Sequence, residues 1–316
     1  MAFHELVENQ RRYFNTGETK KIEVRRQHLN TLRKALEENR DKFCEAVYND
    51  HRRAKELTSS IEIDGSLAEL DYFLANFEKW SEPVPVERTP VLSQDDVPML
   101  VKDPVGVVLV IGPWNYPVVL VMAPLMAALA AGNTVVIKPS EVSANTSKVF
   151  DNVMGKYFDK GILDRSKALP LIKTGELDRN DIFIPPLVVD VKANDAFMED
   201  KIFGPVLPVL TTENLDKTVK HISGGENPLA VYVFTNSKDV MKKIWSETHG
   251  GAALGNDIMS HVSDEGSILS ISKILNSVMT LPFGGVGHSG MARYRGKFGF
   301  DTFTHEKAVL LRNVEN

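Results

Sequence analysis

The chain has 316 residues, 37 Lys and Arg against 42 Asp and Glu, a formal charge of −5, and 43% hydrophobic residues. At about 150 residues per domain this length suggests two domains, and the composition excludes a disordered, collagenous or wholly coiled-coil chain. The mild negative charge gives no electrostatic reason to expect nucleic acid, and the single cysteine, Cys44, excludes an internal disulfide framework and a multi-thiolate zinc site.

Met1 to Lys21 is charged throughout and lacks the apolar stretch of a secretory signal. Leu310 to Asn316 carries no lipidation motif. With one cysteine, these features lead to the expectation of a cytoplasmic protein. Residues 24–57 read as one or two helices, with Leu29, Leu32, Leu36, Phe43 and Val47 at helical spacing. Residues 61–80 repeat the pattern through Ile63, Leu67, Leu70, Leu74 and Phe77, and Pro83 and Pro85 stop it. Residues 84–102, with scattered prolines and Val/Leu pairs, read as an extended arm.

Val105 to Ile111 reads as a buried β-branched strand, Pro117 to Ala131 as a helix with Gly132 just past its end, and Thr134 to Lys138 as a second strand. Ser140 is expected to cap the next helix, with Glu141 in its first turn. Strand–helix–strand–helix implies a parallel sheet with right-handed crossovers. No charge occurs between Asp103 and Lys138, long enough to span a bilayer. Gly112 to Pro117 and Gly132-Asn133 cut that run, so no transmembrane segment is expected. Farther on, strands are expected near 206–211 and 230–235, a helix near 237–247, a short strand at 250–255, an amphipathic helix over 263–279, a glycine loop over 283–290 and a closing strand over 301–311.

Gly285-Val286-Gly287-His288-Ser289-Gly290 matches G-x-G-x-x-G. It lacks the preceding buried strand and following apolar helix of a dinucleotide fingerprint, so a pocket-lining loop is the expectation. Gly112 to Pro117 follows a buried strand and opens a helix, where α/β sheets place ligands. Asn115 there either caps the helix or aims its amide at a developing oxyanion. Lys138 and Glu141 leave the second strand at the same sheet edge. They either bind ribose hydroxyls or serve as a strand-end charge and a helix first-turn carboxylate. Cys44 lies beside Asp41 and Glu45, which raise a thiol pKa where a nucleophile needs it lowered, so a packed thiol is expected. The eight His residues show no ligand spacing, and no metal site is assigned.

Pro104-Val105-Gly106-Val107-Val108-Leu109-Val110-Ile111-Gly112-Pro113-Trp114-Asn115-Tyr116-Pro117 and Ala130 to Glu141 resemble NAD(P)-dependent aldehyde dehydrogenases, most closely the class 3 branch of fatty and aromatic aldehyde enzymes. Ile202 to Pro208, Asn227 to Phe234 and Leu281 to Met291 agree in the family's order. The resemblance implies an α/β, doubly wound parallel sheet of the aldehyde dehydrogenase type, truncated, with a remnant second α/β domain and a β oligomerisation arm. It places a partial dinucleotide-binding domain at 1–83 and 103–160, a catalytic-domain remnant at 161–300 with 263–279 as an insertion, and the arm at 84–102 and 301–316. Asn115 would be the oxyanion-hole amide, Trp114, Lys138 and Glu141 would line the adenosine end of NAD (or NADP), and Phe203 would support the nicotinamide ring. Glu141 would favour NAD by repelling a 2′-phosphate. Implied partners are a small-molecule aldehyde and, through the arm, a second copy or a full-length relative.

The chain departs from the family where the chemistry sits. The family's nucleophilic cysteine follows a Gly-Gln motif and its general-base glutamate lies in Glu-Leu-Gly-Gly-Lys, and neither motif occurs here. Roughly a domain's worth of chain, ~100 residues or more, is missing between about residues 160 and 168. Lys201 stands where the family has a glutamate before Ile-Phe-Gly-Pro. Without thiolate and base, no thiohemiacetal forms for Asn115 to stabilise. The resemblance implies an oxidoreductase that oxidises aldehydes to carboxylic acids with NAD(P), expected to be inactive in this chain; the alternatives are a non-functional product of skipped exons or a flawed gene, or an inactive dimerising relative.

Overall fold

The computed structural model describes residues 2–159, 161–165, 187–204, 206–258 and 279–312. The chain divides into two compact units, Met1–Ile172 with Met259–Phe283 and Ala292–Asn316, and Lys173–Ile258 with Gly284–Met291.

The first unit opens with helix α1 (Ala2–Asn15), then α2 (Ile22–Glu38) and α3 (Arg40–His51). The expected one-or-two helices over 24–57 are this pair. α4 (Lys55–Thr58) runs through a π-helical turn, Ser59–Asp64, into α5 (Gly65–Ser81). Leu29, Leu32, Leu36, Phe43, Ile63, Leu70, Phe73 and Phe77 all enter one core, as their spacing requires.

β3 (Val107–Ile111), α6 (Val119–Ala130), β4 (Thr134–Lys138), α7 (Ala144–Tyr157) and β5 (Leu163–Arg165) follow as parallel crossovers, in the strand order β3-β4-β5. α6 is apolar on every side because α2, α5 and a later helix, α10 (Gly296–Thr302), all pack on it. Gly132 (φ +92°) closes α6 in the left-handed conformation, where a Cβ would press on Arg25 and the Thr19 carbonyl. α1 also packs against β3 and β4. β4 is buried on both faces, whereas β3 buries Val108 and Val110 but leaves Leu109 58% and Ile111 65% exposed.

The stretches expected to form the arm make a three-stranded antiparallel sheet. β1 (Val84–Pro85) pairs with β2 (Val97–Pro104), and β2 pairs along its whole length with β10 (Thr304–Leu311), from Pro104↔Thr304 to Val97↔Leu311. The expected closing strand thus begins three residues late, because α10 occupies its start.

In the second unit, β6 (Leu187–Asp190) pairs in parallel with β7 (Val206–Val209), and β8 (Ala230–Val233) with β9 (Ala252–Gly255). α8 (Leu215–Ser223) and α9 (Lys238–Glu247) pack together, Val219, Val233 and Ile244 forming a small core. The mixed α/β architecture with parallel sheets is the fold class read from the sequence. The expected helix at 263–279 lies, but for Met279, outside the described residues.

Candidate functional site

The carboxyl ends of β3 and β4 meet in the first unit. Gly112 leaves β3 with its N–H on the Lys138 carbonyl (2.9 Å), and a Cβ there would strike Val121. Only a glycine lets α6 start this close to the strand end, so the Trp114–Tyr116 turn projects over the sheet edge.

That turn is held by residues 56 to 63 positions earlier. Glu62, fully buried, accepts hydrogen bonds from the Val118 (2.7 Å) and Val119 (3.1 Å) N–H groups with one carboxylate oxygen. Its other oxygen receives Arg53 at 2.5 Å. Burial pushes the Glu62 carboxyl up, while Arg53 and the two N–H groups pull it back. Arg53 also donates to the Asn115 carbonyl (2.6 Å) and lies 4.5 Å from the Tyr116 ring centre. Glu62, not Asn115, therefore caps α6. Among the described residues no side chain bonds the Asn115 amide, which leaves it available for a ligand oxygen.

Trp114 stacks on His51 (centroids 6.1 Å apart, planes at 14°). Ser143 Oγ donates to the Trp114 carbonyl (3.1 Å) and lies 3.1 Å from His51 Nε2. Burial, and next the charge of Arg53, hold His51 below its ordinary pKa.

Lys138 and Glu141 form an ion pair with each other beside this turn. The hydrogen bond from Lys138 holds Glu141 below the usual carboxylate range. Glu141 does not lie in a helix first turn, and Ser140 caps no helix. Its hydroxyl accepts from Val142 (3.2 Å), and α7 starts only at Ala144. The N-terminus of α7 is capped from α3 instead. Asp50 accepts the Asn145 and Thr146 N–H groups (3.0 and 2.8 Å) and both of their side chains. A distant aspartate offers two acceptor oxygens where Ser140 offers one, and it ties two helices together.

Phe203 belongs to the second unit. Its backbone is left-handed (φ +52°), its ring is half-exposed, and the Lys201 ammonium lies 4.3 Å from the ring centre. The glycine motif is a tight turn on its own unit. Ser289 Oγ donates to the Pro228 carbonyl (3.2 Å), and Cβ atoms at Gly251 or Gly285 would strike backbone. Those glycines serve close backbone packing rather than a phosphate cradle.

Cys44 sits in the main core between α3 and its neighbours, and burial pushes its thiol up. Asp41, Glu62 and Asp64 push the same way, and only Arg40 opposes them. The sole sulfhydryl of the chain is a packed, protonated core group. Asp50, His51, Arg53, Glu62 and Ser143 carried no motif in the sequence; their roles come from tertiary placement alone.

The sequence model described as the aldehyde dehydrogenase family matches residues 2–166 and 152–309, two pieces that meet at 152–166. The mouse dimeric NADP-preferring aldehyde dehydrogenase is 26% identical over 444 aligned positions, covering 98% of this chain and 95% of the relative. Human aldehyde dehydrogenase family 3 member B1 is 28% identical over 439, covering 96% and 90%. Alignments of 444 positions on a chain of 316 place more than a hundred positions (444 − 316) of the mouse protein opposite gaps. Among solved structures, substrate-bound Staphylococcus aureus AldH superposes with a TM-score of 0.88 at 22% identity, covering 99% of this chain and 95% of that one. GapN, a glyceraldehyde-3-phosphate dehydrogenase of Methanocaldococcus jannaschii complexed with NADP, gives 0.76 at 15%, covering 98% and 93%. These structures share the fold, and the family match spans nearly the whole chain, so the protein with this turn and strand edge belongs to the aldehyde dehydrogenase family, and its relatives are of the class 3 kind.

Proposed function

We propose that this protein is a nucleotide-binding member of the aldehyde dehydrogenase family that does not oxidise aldehydes by a covalent thiolate route. The observation that carries this reading is Cys44, the one cysteine of the chain, buried in the helical core with its thiol held protonated. Oxidation through a thiohemiacetal needs an exposed thiolate beside the oxyanion donor. A free Asn115 amide with no nucleophile has no tetrahedral intermediate to hold. The two-piece family match and the unaligned hundred positions support loss of the segment that would hold nucleophile and base.

The nicotinamide cofactor of the family would supply hydride acceptance when bound. The residues present fit its adenosine half. Lys138 and Glu141 offer a cation and an acceptor at and just past the end of β4, and Trp114 gives an aromatic surface past the end of the adjacent parallel β3. They do not fit the nicotinamide half, because Lys201 covers a face of Phe203 and supplies a cation where a carboxylate would grip the ribose. NAD is the favoured nucleotide, since Glu141 repels a 2′-phosphate. In this reading the first unit carries the dinucleotide remnant and the arm, and the second the catalytic remnant. The arm joins two copies, or one copy and a full-length relative, in the cytoplasm.

The test is an assay of aldehyde-dependent NAD(P)H formation, with Cys44→Ala as control, beside NAD and NADP titrations. The expected result is saturable NAD binding, tighter than NADP, and no reduction above the control. Turnover that Cys44→Ala abolishes would overturn the reading.

A further inference from the structure

At the far end of α7 from the strand edge, the first unit contains a cavity of about 440 Å³, within the size range of small-molecule sites. α2 contributes His28 and Thr31, the end of α1 contributes Tyr13, and the end of α7 with the turn after it contributes Tyr157, Phe158 and Asp159. None of these belongs to the turn at Asn115 or to the Lys138–Glu141 pair.

Three polar groups lining this cavity are unused. His28 is only 7% exposed and, among the described residues, makes no hydrogen bond. Among the described residues its aromatic neighbour is Phe158, edge-on at 6.4 Å. Burial lowers its pKa, so at neutral pH it presents one N–H donor and one lone-pair acceptor. The Tyr13 hydroxyl and the Asp159 carboxylate are likewise without a hydrogen-bond partner among the described residues. A buried imidazole without a partner is costly unless a ligand or water satisfies it.

The sign of the site follows from its charges. Glu18 and Asp159 are its carboxylates, and the fields of both raise the Tyr13 hydroxyl pKa beyond the effect of burial. Glu18 is engaged by Lys21 at 2.7 Å, which leaves Asp159 to a ligand. Among the described residues Lys156, on the exposed side of α7, is the one Lys or Arg of the lining, and Lys21, paired with Glu18, partly offsets the two carboxylates at Tyr13. α7 also ends here, and its C-terminal carbonyls add partial negative charge. Tyr13, Tyr157 and Phe158 supply aromatic surface that favours a cation.

We propose that this cavity is a binding site for a small organic ammonium compound, its nitrogen on Asp159 and the neutral His28 acceptor and its carbon body against Tyr13, Tyr157 and Phe158. An alcohol of the same length would satisfy the hydrogen bonds but not the charge, which gives the test its two arms.

The experiment is calorimetric titration of the full chain with putrescine and, separately, with 1,4-butanediol. Putrescine is expected to bind saturably, at least about tenfold more tightly than the diol. Asp159→Asn, an exposed change that leaves folding intact, is expected to weaken putrescine at least about fivefold and leave the diol unchanged. His28→Gln is expected to weaken both ligands. Equal affinity for diol and diamine, no saturable putrescine binding up to about 10 mM, or unaltered putrescine affinity in Asp159→Asn would each overturn the proposal.

Discussion

Arg53 and Glu62 show how the turn at Asn115 is fixed. One guanidinium spans the Asn115 carbonyl, a fully buried carboxylate and the Tyr116 face, and that carboxylate caps α6. Removing Glu62 leaves Arg53 without its charge partner and two helix N–H groups without an acceptor. Glu62→Ala is therefore expected to destabilise the first unit by about 3 kcal/mol, read from urea unfolding; a loss within about 0.5 kcal/mol, the range of ordinary surface substitutions, would contradict it. His51 makes a second, pH-dependent prediction. Its folded pKa lies below the ordinary 6.5, so as pH falls through 6.5 the unfolded chain takes the proton first. The stability His51 contributes is thus present above 6.5 and is lost as pH falls. Because Trp114 stacks on this ring, tryptophan fluorescence is expected to titrate with a midpoint below 6.5, and His51→Gln to remove that transition. A midpoint at or above 6.5 would show the imidazole to be solvated. Asn115, Trp114, Lys138 and Glu141 were legible because they follow β-branched runs punctuated by Gly and Pro. Asp50, His51, Arg53, Glu62 and Ser143 were not, because a single polar residue on or beside a helix gives no spacing signal.

The elements divide along the same line. β3, α6 and β4 could be read at sequence level because both strands are β-branched and Gly132 must end the helix. α1 could not, because its sequence is mostly polar and its buried position is filled by Gln10 rather than by a leucine. α7 began three residues later than Ser140 suggested, because the cap came from another helix. Asp50→Ala removes both N–H contacts at the start of α7 and is expected to cost about 1 kcal/mol. That loss is measurable as a lower urea midpoint with an unchanged slope. Ser140→Ala, by contrast, is expected to fall within about 0.5 kcal/mol of the native chain. If the two effects were reversed, the cap would have been misassigned.

At the scale of the whole molecule, β3 is an edge strand among the described residues, with Leu109 and Ile111 on an open face. Val188 and Leu207, opposite each other in β6 and β7, are likewise exposed. Alternating apolar residues on an uncovered strand mark a surface that more chain would cover, which agrees with the unaligned hundred positions. Leu109→Lys is expected to leave the melting temperature unchanged within about 2 °C and to reduce light scattering at high concentration. A fall of about 5 °C or more would mean that the face is packed. The central claim rests on Cys44, and thiol titration with a disulfide reagent in native buffer and in urea tests it most directly. A core thiol stays unreactive in the native protein and appears in full on unfolding; complete reaction of the native protein at neutral pH, faster than free cysteine, would identify an exposed thiolate and restore the covalent route.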